Sequence, residues 1–277
     1  MLTVGAIAKN EGKYIVEWLA YHLAIGVDRF IIFSNESEDD QIPLLRKIAA
    51  ADARVTVIDW PSPLNTSPQI AAYRHALTMI STEWVAFFDI DEYLVPTEHL
   101  TIRDYLKTVP ADVGSIHVNW RNFGSGNLID PNYSLVTRAF MQGAPLGWSN
   151  HHHFKSIARA AFVTDVGVHN LVSSQGRRAL SDFSEFETIN GGMSSRVIHA
   201  PLRLHHYQSK TFAEFSARMR RGDANFPPGH PDRSRDESES RFKQIDLNDV
   251  YDNTIRRFDK AVDMEVARLS WILSSGS

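Results

Sequence analysis

The sequence predicts an α/β fold in which a central, mostly parallel sheet is flanked by helices. Two observations support this prediction. Short apolar runs alternate with helix-like spacing over residues 1–88. The run at 84–88, WVAFF, is apolar throughout, as is typical of a strand buried on both faces. Because strands joined through helices pair in parallel with right-handed crossovers, the β-α-β-α-β-α-β order indicates one sheet.

The elements of the first half follow from apolar spacing and turn residues. The spacing predicts strands at 2–8, 28–33, 55–58 and 84–88, and helices at 12–25, 41–50 and 69–80. Gly26 stands where a glycine usually ends a helix. The polar turn from Ser34 to Asp40 can cap the second helix.

Beyond residue 97 the pattern is less regular. The sequence predicts helices at 102–108 and 211–221, a helical start at 133–145, and strands at 115–120, 153–158, 161–168 and 202–207. Residues 170–196 show no assignable pattern. Residues 222–240 combine proline, glycine and charges, which predicts a mobile loop. A last helix is predicted within 246–273, with one apolar face formed by Val250, Ile255, Phe258, Val262 and Val266.

Composition excludes several classes of function. The 277 residues are 43% hydrophobic and carry a net charge of −4, so we expect no nucleic-acid binding. The absence of cysteine excludes disulfides and thiolate sites, and fits a reducing compartment. Neither a signal peptide nor a run of ~18–20 apolar residues is present. We therefore expect a cytoplasmic protein without a transmembrane segment, and leave peripheral membrane contact open.

Three acids follow the buried strand at 84–88. Period-two alternation places Asp89 and Asp91 on the same side of the chain, and Glu92 comes next. Such acids are costly at the end of a buried strand unless something neutralises them. Mg²⁺ or Mn²⁺ carrying phosphate oxygens would do so, and open α/β sheets bind ligands at this edge. The alternative interpretation is a solvated turn that simply ends the strand.

Further motifs accompany this acidic turn. In chain order they are Lys9-Asn10-Glu11, Glu17-Trp18, Tyr21-His22, Asn35-x-Ser37-x-Asp39, Trp120-x-x-Phe123-Gly124-Ser125-Gly126, Lys155-Ser156-Ile157, Gly167-Val168-His169 and His206-Tyr207. Together they resemble the GT-A glycosyltransferases, most closely the family 2-like and family 92-like members. The resemblance extends to about residue 222. Residues 170–198 and 223–277 carry no recognisable motif.

The resemblance implies a GT-A, Rossmann-like catalytic domain over residues 1–222, with a smaller mixed sheet on the acceptor side. Residues 1–97 would form the half that binds the nucleotide sugar, and 98–222 the acceptor half. Residues 223–277 would add the mobile loop and a C-terminal helix packed on the same domain.

The resemblance also implies where the donor binds. The nucleotide would contact the ends of the first strands and the acidic turn through Ala8, Asn10, Glu11, Asn35, Ser37, Asp39 and Asp89. Three cations would compensate the diphosphate charge, namely Lys210, Arg218 and Arg221. Structural roles remain open for some of these residues: a first-turn acid for Glu11, helix capping for Ser37 and Asp39, and a solvated face for the arginines.

The implied metal is Mn²⁺ or Mg²⁺, held by Asp89, Asp91 and His206. Asp91 is the better candidate for direct coordination, and imidazole suits Mn²⁺ better than Mg²⁺. In a regular strand His205 would face away from His206. The acceptor wall implied by the resemblance consists of Trp120, Phe123, Gly124 and Ser125, with core packing as the alternative for the two aromatics.

The implied reaction is transfer of a hexosyl-type sugar from a nucleoside diphosphate sugar, a UDP-sugar, to a hydroxyl of a carbohydrate or glycolipid, in polysaccharide or glycoconjugate synthesis. Inversion would require a base, for which the candidates are Asp165, His169, Asp182, Glu185 and Glu187. One alternative is a non-catalytic carbohydrate- or nucleotide-binding protein on the same fold. The other is a sugar nucleotidyltransferase, which the lack of a glycine-rich loop after the first strand disfavours.

Overall fold

A computed structural model describes residues 1–275 of the chain. Its first half alternates strands and helices as the apolar spacing predicts. In chain order these elements are β1 (Leu2–Ala8), α1 (Gly12–Ala24), β2 (Arg29–Ser34), α2 (Gln41–Ala51), β3 (Val55–Asp59), α3 (Pro68–Leu77) and β4 (Trp84–Phe87).

The described part of the second half contains one long strand, β6, several short strands and four short 3-10 helices. The regular elements are β5 (Glu92–Pro96), α4 (Ile102–Lys107), β6 (Val113–Asn122), α5 (Val136–Ala139), β7 (Gln142–Gly143), β8 (Phe154–Arg159), β9 (Val163–Val166), β10 (Leu171–Ser173), β11 (Arg177–Leu180), β12 (Thr188–Asn190), β13 (Met193–Ser194), β14 (Leu202–His206), α6 (Phe212–Arg220), α7 (Glu239–Ile245), β15 (Val250–Tyr251) and α8 (Asp259–Ser274). The 3-10 helices are Ser149–His152, Ala160–Phe162, Pro231–Arg233 and Thr254–Phe258. Residues 170–196, to which the sequence analysis assigned no element, thus contain four short strands, β10 to β13.

The central sheet has nine strands, eight of them in the order β3-β2-β1-β4-β8-β6-β14-β5, with β11 paired to β6. The four strands of the first half pair in parallel. β8 runs antiparallel to both β4 and β6, and β14 runs parallel to β6 but antiparallel to β5. The predicted α/β class, with a parallel part and a mixed part, is confirmed.

Helices cover both faces of the sheet. On one face α1 buries Ile15, Trp18 and Leu19, and α8 packs across α1 and α2. The Trp18 indole donates to the carbonyl oxygen of Glu92 at 2.9 Å, so α1 also supports the turn between β4 and β5. On the other face α3 stacks its Tyr73 ring on Phe87, with 4.1 Å between the ring centroids.

The last helix predicted within 246–273 is present, but Val250, Ile255 and Phe258 of its predicted apolar face do not lie on it. α8 begins only at Asp259, and β15 pairs with β7. The Asp252 carboxylate accepts hydrogen bonds from Thr254 N and from Arg203, and these contacts favour a turn over a helix. Ile255 is buried as predicted, although it lies in a 3-10 helix.

Two further expectations concern the end of the chain. The predicted loop 222–240 contains a 3-10 helix and runs into α7. Gly276 and Ser277, at the end of the predicted 223–277 unit, lie outside the described residues. Within residues 1–275, no helix combines the length and the apolar character that crossing a lipid bilayer requires.

Candidate active site

A cavity of about 490 Å³ lies at the carboxyl ends of β1, β2 and β4. Its walls come from the loop after β1, the turn after β4, the end of β14, α6 and the segment of residues 223–241. The sequence predicted a ligand site at this edge of the sheet, because the acidic turn follows the strand at 84–88.

Asp91 and His206 meet in this cavity although they belong to different parts of the sheet. His206 Nε2 lies 3.6 Å from Asp91 Oδ2, and Arg218 Nη1 lies 3.3 Å from the same oxygen. His206 donates from Nδ1 to Oδ1 of Asn122 at 3.1 Å, which directs Nε2 towards Asp91. Burial disfavours the Asp91 charge, but His206, Arg218 and Lys210 hold the pKa of Asp91 well below its usual range. His205 faces the opposite side, as predicted, towards Arg203 and Tyr207.

Asp91 and His206 fit a divalent cation whose remaining ligands come from the substrate. Within residues 1–275, no three His, Asp or Glu side chains converge as a ready-made metal site. However, Mg²⁺ and Mn²⁺ are commonly held by one or two carboxylates plus substrate phosphates. An imidazole whose other nitrogen donates to an oxygen is also typical of metal-ligating histidine. Asp91 and His206 therefore supply a suitable donor set.

The Asp89 carboxylate is engaged by other side chains. Oδ1 accepts from Gln69 Nε2 at 3.1 Å, and Oδ2 accepts from Lys155 Nζ at 3.0 Å. The adjacent Glu92 is fully buried, and its Oε2 accepts the backbone N–H of Asp89 at 2.9 Å. Burial raises the pKa of Glu92, an effect that the Lys155 ammonium opposes. Of the two aspartates, Asp91 is thus the one that faces His206.

Trp120 forms the part of the wall nearest to three imidazoles. Its ring stacks on His153 with 4.7 Å between centroids, and lies 4.2 Å from His206 and 5.5 Å from His169. The indole donates to Oε1 of Glu92 at 2.8 Å, which fixes the plane of the ring.

The other three predicted acceptor residues do not line the cavity. Phe123 is buried and stacks on Tyr207. Ser125 donates to the Asp246 carboxylate, and a Cβ at Gly124 would collide with the side chain of Asn248. Residues 246–248 pack against the turn at 124–126 and cover these residues. No local sequence pattern predicts such a long-range contact.

Of the six residues predicted at the ends of β1 and β2, only Glu11 and Asn35 line the cavity. The others connect the two loops. Asn10 N donates to Ser37 Oγ at 3.1 Å, Gly12 N donates to Asp39 Oδ2 at 2.7 Å, and the Ala8 carbonyl accepts from Asn35 N at 2.8 Å. Their contacts therefore shape the loops that carry Glu11 and Asn35.

Two of the three predicted cations reach the cavity wall. Arg221 donates to Glu11 Oε1 at 2.6 Å and to the backbone oxygens of Lys9 and Asn10. Arg218 contacts Asp91, and its Nε has no hydrogen-bond partner among residues 1–275. Lys210 does not line the cavity but lies buried over the Tyr14 ring. Burial lowers the pKa of Lys210, although Asp91 and Glu11 oppose that shift.

Among the five candidate bases, His169 lines the cavity. Its Nδ1 is buried and has no hydrogen-bond partner in the part of the chain that the structure describes. Burial, followed by the nearby Lys155 ammonium, lowers the pKa of His169 to about 3. The other four lie outside the cavity. Asp165 pairs with Arg74 at 2.9 Å, Asp182 caps the turn at Ser184, and the other two are exposed, namely Glu185 and Glu187.

Sequence reasoning missed the contribution of the 223–241 segment. Its cavity-lining charges are Asp223, Arg233, Arg235, Asp236 and Arg241. The segment reaches α3, where the Ala224 carbonyl accepts from Ser67 Oγ at 3.0 Å and from Gln69 N at 3.2 Å. The only sequence signal was the density of arginines in a region without motifs.

The structural role of Lys155 was also not predicted from the sequence. The signal for it is a lysine next to apolar residues in the strand predicted at 153–158.

The sequence profile of glycosyltransferase family 92 matches residues 6–225. The chain therefore belongs to glycosyltransferase family 92. A family 92 protein of Arabidopsis thaliana is 24% identical over 237 residues, covering 81% of this chain and 38% of that protein. One of Oryza sativa subsp. japonica is 30% identical over 141 residues, covering 49% of this chain and 24% of that protein. The matched region is thus less than half of either relative's length.

Solved structures show weaker similarity. S. aureus TarS 1-349 aligns over 99% of this chain and 72% of that chain, with 14% identity and a TM-score of 0.41. Glucosyl-3-phosphoglycerate synthase from Mycobacterium tuberculosis, in complex with Mg²⁺ and UDP, aligns over 59% of this chain and 57% of that chain, with 16% identity and a TM-score of 0.35.

Proposed function

We propose that this chain is a metal-dependent glycosyltransferase that moves a sugar from a UDP-sugar to a hydroxyl of a carbohydrate or glycolipid, with inversion at the sugar. The observation that carries the proposal is the pairing of Asp91 with His206 at 3.6 Å, beside Arg218, in a cavity of about 490 Å³. That volume lies within the range typical of small-molecule sites.

The cavity residues suggest how the donor lies. Glu11 and Asn35 stand at the ends of β1 and β2, where polar side chains can contact the base and ribose. Asp91, His206 and Arg218 mark the diphosphate position. Trp120 borders the space beyond, where an aromatic face suits a sugar ring.

Asp91 and His206 would hold Mn²⁺ or Mg²⁺, which stabilises the negative charge that develops on the leaving diphosphate. Arg218 adds a guanidinium next to Asp91. Arg221 holds the loop after β1 through its bonds to Glu11 and Asn10. These residues bind and orient the donor before the acceptor arrives.

The acceptor proton needs a base, and two cavity groups are proposed for that role. His169 is unprotonated because its pKa is lowered to about 3, which makes it a weak base. Asp236 lines the cavity and has no cationic partner within 4.0 Å among the described residues. The turnover numbers of His169→Gln and Asp236→Asn, measured at saturating donor, distinguish the two candidate bases. Loss of the base lowers turnover but leaves the affinity for UDP unchanged.

The deciding experiment is calorimetric titration with UDP, first with Mn²⁺ and then with excess EDTA. We expect binding that requires the metal, followed by hydrolysis of one sugar donor in a screen of UDP-sugars. If UDP, GDP and dTDP all fail to bind with Mn²⁺, the proposed donor site is wrong.

The same experiment tests the second candidate function. A non-catalytic nucleotide-binding protein on this fold would bind UDP with Mn²⁺ but would neither hydrolyse nor transfer any UDP-sugar. A sugar nucleotidyltransferase would instead release pyrophosphate from a nucleoside triphosphate and a sugar phosphate.

A further inference from the structure

Lys155 is a buried lysine behind the cavity wall. It lies on β8 with 1% of its side chain exposed, and it does not line the cavity. Its ammonium nitrogen is 3.0 Å from Asp89 Oδ2, 3.1 Å from the Val168 carbonyl oxygen and 3.6 Å from Glu92 Oε2. Lys155 Nζ thus donates two hydrogen bonds, to Asp89 and to the Val168 carbonyl, and forms an ion pair with Glu92. Because only 1% of the side chain is exposed, the ammonium is not accessible to a ligand.

Through these acceptors Lys155 is linked to three parts of the cavity wall. Asp89 presents its carboxylate beside the acidic turn. Glu92 accepts the Trp120 indole N–H with its other oxygen. Val168 immediately precedes His169, and both line the cavity. One ammonium therefore connects three wall elements that are far apart in sequence.

Asp89 depends on this connection. Its Oδ1 is held by Gln69 at 3.1 Å, whereas the Lys155 amine is the donor that the described residues provide to Oδ2. The Asp89 side chain is 36% exposed, so without the amine this oxygen would lose its donor and the carboxylate would be free to turn towards solvent.

We propose that Lys155 is a positioning residue, which fixes Asp89, Trp120 and His169 relative to one another at the sugar end of the cavity. The inference rests on the proposed function, because it assigns these three side chains to the space that the donor sugar occupies. Lys155 acts through them and does not touch the substrate itself.

A double-mutant cycle tests the proposal in the full chain, with Lys155→Met, Asp89→Asn and the double variant. The readout is kcat/KM for hydrolysis of the UDP-sugar found in the screen, at a temperature where every variant is folded. We expect each single change to lower kcat/KM by about 10–100-fold, as partners that orient site groups usually do. The double variant should be at least about tenfold more active than the product of the two single effects.

The cycle separates positioning from a merely structural role. If Lys155→Met keeps kcat/KM within about twofold of the parent while only the melting temperature falls, the proposal is wrong; fully multiplicative effects would also overturn it. If Lys155→Met does not fold, the double variant, which removes both charges of the pair, is compared with Asp89→Asn. A kcat/KM that the added Lys155→Met change lowers by more than about tenfold then contradicts the proposal, and a smaller effect supports it. Lys107→Met is the matched control, because that side chain is 76% exposed and pairs with Asp104 on the same helix.

A second readout does not require activity. Hydrogen exchange of the peptide that spans 163–173 should be at least about tenfold faster in Lys155→Met than in the parent, because the Val168 carbonyl loses its anchor. Unchanged exchange contradicts the proposal even if the parent turns over no UDP-sugar. A parent without metal-dependent UDP binding, by contrast, contradicts the proposed function and leaves this readout intact.

Discussion

His206 Nε2 lies 3.6 Å from Asp91 Oδ2 because the backbones that carry them are joined. β14 pairs antiparallel with β5, with His206 opposite Glu92, and Tyr207 N donates to the Asp91 carbonyl at 2.9 Å. A shift of one residue in this pairing would turn His206 to the other side of the sheet. The register of the mixed sheet therefore places the two side chains together.

The first prediction concerns this pair. Asp91→Asn should abolish Mn²⁺-dependent UDP binding, a loss of about 2–5 kcal/mol, because it removes one member of a buried charged cluster. His206→Ala should weaken the same binding less, because Asp91 and Arg218 remain. Calorimetric titration with UDP, with and without Mn²⁺, measures both effects.

Asp104→Asn is the control for these variants. Asp104 lies on α4 and pairs with the exposed Lys107, so its loss should leave UDP binding unchanged. If both site variants bind UDP as the parent does, Asp91 and His206 do not form the metal site.

The second prediction concerns Trp120. Trp120→Phe keeps an aromatic ring but leaves Glu92 Oε1 without its N–H donor in a buried position. An unsatisfied buried acceptor costs about 1–3 kcal/mol, so the free energy of unfolding should fall by that amount and the urea midpoint should move to a lower concentration. Trp271→Phe, at a position that is 69% exposed, should leave the midpoint unchanged. Equal midpoints for Trp120→Phe and the parent would show that the indole hydrogen bond does not stabilise the fold.

The third prediction concerns Glu214, which joins α6 to α1. Its carboxylate accepts from Lys13, Tyr14 and Tyr133. Burial alone would raise its pKa, but these hydrogen bonds lower the pKa from 4.5 to about 2. A carboxyl group whose pKa is lower in the folded state than in the unfolded state stabilises the protein. This contribution is complete at pH values above the pKa of the unfolded state. That contribution disappears as the pH falls from about 4.5 to about 2.

Glu214→Gln should therefore be less stable than the parent at pH 7, by about 1.5–3 kcal/mol, the usual contribution of hydrogen bonds to a charged group. The difference should shrink as the pH falls below about 4.5. Urea unfolding at a series of pH values measures it. Glu239→Gln, on the exposed face of α7, is the control and should follow the parent. A difference that is independent of pH would contradict the assigned pKa.

The fourth prediction concerns the anchor of the 223–241 segment. Phe242, on α7, packs against Phe215, Met219 and Ile245 in a small cluster separate from the main core. Phe242→Ala should open this segment locally, because large-to-small changes at a packed phenylalanine cost about 3–5 kcal/mol. Trypsin should then cleave within 223–241 faster than in the parent, while thermal melting of the rest changes less. Met264→Ala, at an exposed position of α8, should be cleaved as slowly as the parent.

The fold of the first half could be predicted because its signals are local. Each strand is a short apolar run and each helix an apolar stripe, so the order of β1 to β4 follows without tertiary information. β5 was missed because its first residue, Glu92, reads as a third acid of the turn. Only the structure shows that this carboxylate points inward to Trp120 and the backbone of Asp89.

The candidate site was predicted only in part, and for a related reason. The resemblance implied Asp91 and His206 as ligands of one metal and Arg218 as a cation near the diphosphate, and the structure brings these three side chains together. Asn10 and Ser37 instead contact one another, since short polar side chains serve loop geometry as readily as ligands. The covering of Gly124 by Asn248, and the approach of Arg233 and Arg235, depend on contacts between distant parts of the chain.

The strand pairing that joins Asp91 to His206 also bears on how this architecture can diversify. The distance between Asp91 Oδ2 and His206 Nε2 is set by the backbone pairing of β14 with β5 and β6. Residues 170–198 and 223–241 are not part of that pairing, apart from β11 at the far side of β6. Insertions or deletions there would change the shape of the cavity rim while Asp91 and His206 keep their spacing. If the cavity binds the sugar donor as proposed, new acceptors can be acquired by loop variation alone, without changing the strands that hold these two side chains.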